Sequence, residues 1–316
     1  MRVLFMGTPE FAVHVLTSIK EAGHEVIGVY TQPDKPKGRG KSLQYPPVKE
    51  KALEYGIPVY QPPKVREPEV IEEIRALQPE VIVVVAFGQI LPEAILNIPR
   101  LGCINVHASL LPKYRGAAPI QQVIIDGEKE SGVTTMYMAK GLDTGDMIER
   151  VVVPIDEKET GGSYHDKLAA AGAKLILSTL EKLKQGTAPR IPQDDSLSCY
   201  AHMLNKAMGE LDYTKTAREL ERLIRGLNPW PSAYTHIQGK TLKIYEADII
   251  EEQDLTEEER NVAPGRVLSV DKKSFVIRCS EGALRVLALQ LEGKKRMETA
   301  AFLLGYTVTP GMELTR

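Results

Sequence analysis

Cysteine is scarce in this 316-residue chain: Cys103, Cys199 and Cys279 are the only three, odd in number and far apart. That excludes a disulfide framework and a CxxC zinc pair, and it fits a reducing compartment. Long apolar runs are missing too. No stretch of about 18 apolar residues occurs, so the sequence carries no membrane-spanning signal. Charge of one sign is not in excess: 40 Lys+Arg stand against 42 Asp+Glu, a net −2. A polycation is thereby excluded, and any nucleic-acid contact must come from a local patch. The six histidines show no HExxH spacing, so no bound metal is expected. The opening MRVLFM already reads as a strand, which argues against a leader peptide and for a cytoplasmic protein. At 43% hydrophobic and 26% charged residues, the chain has an ordinary globular composition and the length of about two domains.

What is present is a regular alternation. Residues 3–6, 25–31, 59–60 and 81–86 read as strands, and residues 9–22, 47–55 and 68–77 between them as helices. Thr8 is the expected N-cap of the first helix, with Pro9 at its first position. Residues 81–86 (VIVVVA) are continuously apolar and β-branched, as a strand covered on both faces must be. The pattern predicts an α/β fold: a Rossmann-like, mostly parallel sheet flanked by helices, with binding sites beyond the carboxyl ends of its strands. Further strands are expected at 103–107, 133–138 and 148–154, and a helix at 164–183. Pro, Gly and Asp then gather at 186–196, and short strands follow at 242–245, 265–270, 274–278 and 283–289. These suggest a smaller, OB-like β-barrel. The expected organisation is one domain over 1–189, a linker over 190–206 and a C-terminal barrel over 207–316.

The densest segment for chemistry is 103–119. Asn105 and His107 are two apart on a strand and share a face. A carboxamide and an imidazole side by side suit the oxyanion of acyl transfer; a satisfied core histidine is the plain alternative. Asp143, in the glycine-bracketed turn 141–146 (GLDTGD), could reach the histidine across the sheet end and orient it, or serve only as a turn residue. Cys103 shares the face of Asn105 and reads as a packing thiol, since no base serves it. Trp230, between Pro229 and Pro231, reads as a packing anchor, with a base-stacking platform as the alternative.

Asn105, His107 and Asp143, with Ser109-Leu110-Leu111-Pro112 and Arg115-Gly116 between them, resemble the signature of the folate-dependent formyltransferases. Residues 7–12 (GTPEFA), 31–34 (TQPD), 38–41 (GRGK), 84–88 (VVAFG), 141–147, 228–231 (NPWP) and 293–295 (GKK) extend the resemblance over nearly the whole chain, toward members that act on methionyl-tRNA. The resemblance implies transfer of the formyl group of 10-formyltetrahydrofolate to the α-amine of initiator methionyl-tRNA. It implies Asn105, His107 and Asp143 as the catalytic set. Phe87, Gly88, Ile90 and Leu91 would wall the folate pocket and Ser109, Leu110, Leu111 and Pro112 would close it. Contacts to tRNA would come from Lys37, Arg39 and Lys41, in a segment 34–51 of local charge +4, and from Lys294, Lys295 and Arg296. A monomer is expected. One position departs from the family pattern: Phe87 stands where a tyrosine is expected.

Two other classes compete. A βαβ opening with Asp34 after the second strand would suit an NAD-dependent dehydrogenase, but Gly7-Thr8-Pro9 offers one glycine where G-x-G-x-x-G needs three. A nonenzymatic RNA-binding barrel is disfavoured because residues 206–316 carry 17 Lys+Arg against 17 Asp+Glu. Within the family, a glycinamide nucleotide or an amino sugar is the competing acceptor.

Overall fold

A computed structural model describes residues 1–37 and 42–315. They divide into two compact units. The first comprises Met1–Pro119, Glu130–Pro154 and His165–Ala201; the second comprises Ile120–Lys129, Ile155–Tyr164 and the chain from His202 onward. The units are therefore interleaved in sequence rather than consecutive. Two hydrogen bonds explain why: Gly162 N donates to Asn228 O at 2.9 Å, and the Arg225 side chain donates through Nη1 to Glu159 O at 2.7 Å, tying residues 155–164 to the second unit.

In the first unit seven strands lie side by side in the order Met147–Pro154, Glu130–Tyr137, Cys103–His107, Val81–Val85, Arg2–Gly7, Glu25–Tyr30 and Val59–Tyr60. From Cys103–His107 to Val59–Tyr60 the pairings are parallel; the two pairings at the other end are antiparallel. The expected mostly parallel sheet is what forms. All five residues of Val81–Val85 are buried, so the strand is covered on both faces. Each such side chain contributes about 1.5–3 kcal/mol. The helix Glu10–Glu21 lays Phe11, Val15, Leu16 and Ile19 into the core.

The start of that helix differs from expectation. Pro9, not Thr8, occupies the N-cap, in extended backbone and without a side-chain cap. The Thr8 hydroxyl instead donates to Phe87 O at 3.0 Å and accepts from Gln32 N at 3.3 Å. Thr8 thus joins three strand ends at the carboxyl edge of the sheet, a long-range use that local spacing does not show.

The second unit holds an antiparallel sheet in the order Val267–Val270, Phe275–Arg278, Ala283–Leu291, Lys240–Ile250, Ala233–Ile237 and Leu314–Thr315. Its ends meet: Val267 N donates to Met312 O at 2.9 Å and Leu314 N to Gly265 O at 2.8 Å. The sheet curls on itself, as the short strands suggested. Its interior packs Ile244, Phe275, Ile277, Leu284 and Leu289 with Leu220 and Ile224 of the helix Ala217–Gly226. A reciprocal capping box between Thr216 and Glu219 starts that helix.

Trp230 does not anchor this packing, because 55% of it is exposed. Asn228 does: its Nδ2 donates to Tyr245 O at 3.0 Å, while its carbonyl holds Gly162 N.

Candidate active site

The strand Cys103–His107 sets the centre of the site. Its alternate residues face one way, and all five are buried, so Asn105 and His107 are held side by side at 9% and 6% exposure. Asn105 lies opposite Met136 and His107 opposite Thr134 on the antiparallel neighbour. Cys103, farther down that face, packs among Leu4, Met6, Ile82 and Ile95. Burial pushes its thiol up to about 12, which removes it from consideration as a nucleophile.

Asp143 arrives from the turn between the two antiparallel strands. Its Oδ1 accepts from Asn105 Nδ2 at 3.3 Å, its Oδ2 accepts from Gly116 N at 2.8 Å, and Oδ2 lies 3.8 Å from His107 Nδ1. The structure brings together the three side chains that the sequence pattern singles out. Their connections differ from the simple picture of two donors aimed at one empty point. Asn105 spends one amide hydrogen on Asp143. His107 Nε2 is 2.9 Å from Tyr114 O. A carbonyl only accepts, so Nε2 carries the proton in that bond and Nδ1 is the nitrogen turned toward the carboxylate.

A backbone strap over residues 113–116 completes the enclosure. Tyr114 has φ +59° and Gly116 φ +110°, and Arg115–Gly116 pairs in parallel with Tyr200–Ala201. A Cβ on Gly116 would stand 2.6 Å from Ala201 O, so only glycine fits where the N–H must reach Asp143. Residues 190–201, expected as linker, are part of this construction up to Ala201. Ile191 exchanges backbone bonds with Met147, and Gln193 Nε2 donates to the carbonyls of Asp143 and Gly145, each at 2.8 Å. Sequence reasoning assigned no role to Tyr114, Gly116 or Gln193. The glycine in the Arg115-Gly116 motif was the one available signal.

The eight residues assigned to folate have mixed surroundings. Phe87 and Leu91 are core residues, and Leu111 is fully buried against Met136 and Met147. Ile90 is 84% exposed. Gly88 has φ +84°. Ser109 Oγ donates to Lys113 O at 2.7 Å, Thr134 Oγ1 donates to Ser109 O at 2.6 Å and Leu111 N donates to Thr134 Oγ1 at 3.2 Å, which fixes the loop carrying Leu110 and Pro112. A cleft of about 170 Å³ beside this edge is lined by Thr8, Gln32, Pro33, Lys35 and residues 44–47. None of the eight lines it.

Of the cations assigned to tRNA, Arg39 and Lys41 lie outside the described residues. Lys37 ends the strand Lys35–Lys37, which pairs antiparallel with Ser42–Gln44. Farther along this basic segment two charges are already spent: Lys49 pairs with Asp34 at 2.7 Å and Lys51 with Glu54 at 2.7 Å. In the second unit Lys294, Lys295 and Arg296 are all exposed, and the Arg296 guanidinium lies over the Tyr245 ring at 4.5 Å. Among the described residues no three His, Cys, Asp or Glu side chains converge on a metal-sized site, and no helix is long and apolar enough to cross a membrane.

Comparison with known proteins bears on this geometry. A family model described as formyl transferase matches residues 1–180, and one described as formyl transferase, C-terminal domain, matches residues 203–307. The chain is 56% identical over 314 residues to a methionyl-tRNA formyltransferase of Lachnospira eligens, covering 99% of each chain. It is 54% identical to one of Agathobacter rectalis, covering 100% of each. Among solved structures, an N-formyltransferase of Helicobacter canadensis in complex with folinic acid and dTDP-3-aminofucose is similar in fold, with a TM-score of 0.67 at 20% identity; the match covers 90% of this chain and 98% of that one.

Proposed function

The chain belongs to the formyl transferase family, and from that premise we infer that it transfers the formyl group of 10-formyltetrahydrofolate to the α-amine of initiator methionyl-tRNA, in the cytoplasm. The observation that carries this reading is the buried Asn105–Asp143–His107 set, in a chain that aligns end to end with relatives named for that reaction.

The chemistry needs no enzyme nucleophile. The neutral amine attacks the formyl carbon, and the carbonyl oxygen becomes an oxyanion. Asn105 donates its second amide hydrogen to that oxygen. The Nε2–H of His107 moves from the neutral Tyr114 carbonyl to the developing negative charge, because charge-assisted bonds are roughly twice as strong. Asp143 accepts the ammonium proton once the new C–N bond has formed. The proton passes to folate N10 as the old C–N bond breaks. Ile90, Gly88, Leu110 and Pro112 offer the folate its contacts, while Phe87, Leu91, Ser109 and Leu111 support them from the core.

Lys37, Arg39 and Lys41, and separately Lys294, Lys295 and Arg296, engage tRNA phosphates. The protein acts as a monomer and holds no metal. The test compares acceptors with one donor: formylation of methionyl-tRNA is expected, and none of an amino-sugar nucleotide. Formylation of the sugar nucleotide alone overturns the reading. In the same assay, alanine at Lys294, Lys295 and Arg296 together is expected to raise KM for tRNA several-fold, leave folate KM unchanged and flatten the salt dependence.

A further inference from the structure

We propose that Gln193 is the positioning residue that sets the catalytic carboxylate, by pinning the backbone of Asp143 to the Arg115–Gly116 strap; this rests on the formyl-transfer reading above. The carboxamide is used fully. Its Nε2 donates to Asp143 O and Gly145 O, each at 2.8 Å, which accounts for both of its hydrogens. Its Oε1 accepts from Arg115 Nε at 3.1 Å and Arg115 Nη2 at 2.9 Å. Arg115 is itself buried at 4% exposure and pairs with Asp195 at 2.7 Å.

Asp143 needs such a hold. It has φ +53°, a left-handed conformation uncommon for a non-glycine residue. Its carboxylate is gripped by Asn105 Nδ2 and Gly116 N, but those bonds constrain the side chain. The bonds from Gln193 hold the Asp143 and Gly145 carbonyls themselves, while Asp146 O and Met147, farther along, are held by Tyr137 N and Ile191. The strap that supplies Gly116 N also supplies Arg115, so one amide ties the carboxylate's backbone to its own donor. Both ends of the Asp143 geometry are thus referred to one side chain. A displacement of about 1 Å at a reacting group costs up to about 100-fold in rate.

The position was concealed in the sequence by its setting, residues 186–196 (GTAPRIPQDDS), which has the Pro, Gly and Asp content of a linker. Its partners are 48 to 78 positions away.

The variants separate the two halves of the carboxamide. Gln193→Met keeps length and loses every bond. Gln193→Glu keeps the acceptor for Arg115 but sets a carboxylate against two carbonyls. Both are expected to lower kcat about 10- to 100-fold, with KM for methionyl-tRNA and for 10-formyltetrahydrofolate within about two-fold of the parent. The discriminating arm is an Asp143→Ala background: there Gln193→Met is expected to cause no further loss, because the group it positions is gone. Equal fold-losses in both backgrounds would show a merely structural role and overturn the proposal, as would a KM effect with unchanged kcat. Hydrogen exchange over residues 138–147 gives a readout independent of activity: it is expected to quicken in Gln193→Met while the sheet stays protected, and unchanged exchange there overturns the proposal. Turnover by the parent enzyme reports separately on the formyl-transfer reading.

Discussion

His107→Ala is expected to lower kcat for formylation by about 10²–10³-fold, the usual loss on removing one oxyanion donor from a preorganised site. The imidazole is buried at 6% exposure, so its hydrogen bond operates where water does not compete, and no exposed group can replace it. The substitution also deletes the Nε2 bond to Tyr114 O, worth about 0.5–1.5 kcal/mol of stability. Thermal unfolding should therefore fall by only a few degrees while turnover collapses. Saturating both substrates separates the two effects. Near-normal kcat in a folded His107→Ala protein contradicts the mechanism.

Gly116→Ala is expected to be as damaging through the backbone alone. The added methyl meets Ala201 O at 2.6 Å, and φ +110° is a region closed to alanine. Relief requires the strap to move away from Tyr200–Ala201. That movement withdraws Gly116 N from Asp143 Oδ2, now 2.8 Å apart, and shifts the Tyr114 carbonyl that holds His107. One methyl thus disturbs two of the three side chains proposed for catalysis without touching either. We expect at least a 100-fold loss of kcat and a lower melting temperature. A variant that keeps parental turnover would show that the strap does not set the site.

The central strands and the shared face of Asn105 and His107 were legible because they rest on short periods, whereas Asp143, 38 positions beyond Asn105, was reached only through its glycine-bracketed turn. Val81–Val85 reads as buried from its β-branched run, and Asn105 with His107 reads as one face from a period of two. The strap and its clamp were not legible, for they rest on contacts far apart in sequence. Ala201 O accepts from Ala117 N across 84 positions, and Gln193 serves Asp143 across 50. A stretch rich in Pro and Asp has the composition of a linker whether or not something distant holds it. Thr8 shows the same limit at smaller scale: its spacing to Pro9 suits a cap, but Phe87 O takes its hydroxyl. Trp230 was misread because aromatic residues flanked by prolines usually pack, and here Asn228 supplies the tie instead.

The central claim is direct transfer between two bound substrates at Asn105, His107 and Asp143, with no formyl group carried on the protein. Rapid-quench single turnover with 10-[¹⁴C]formyltetrahydrofolate and methionyl-tRNA tests it most directly. Label is expected to pass from folate to methionine at one rate, with none retained on the chain at any time. Label on the protein before formylmethionine appears, or no formylmethionine at all, would contradict it.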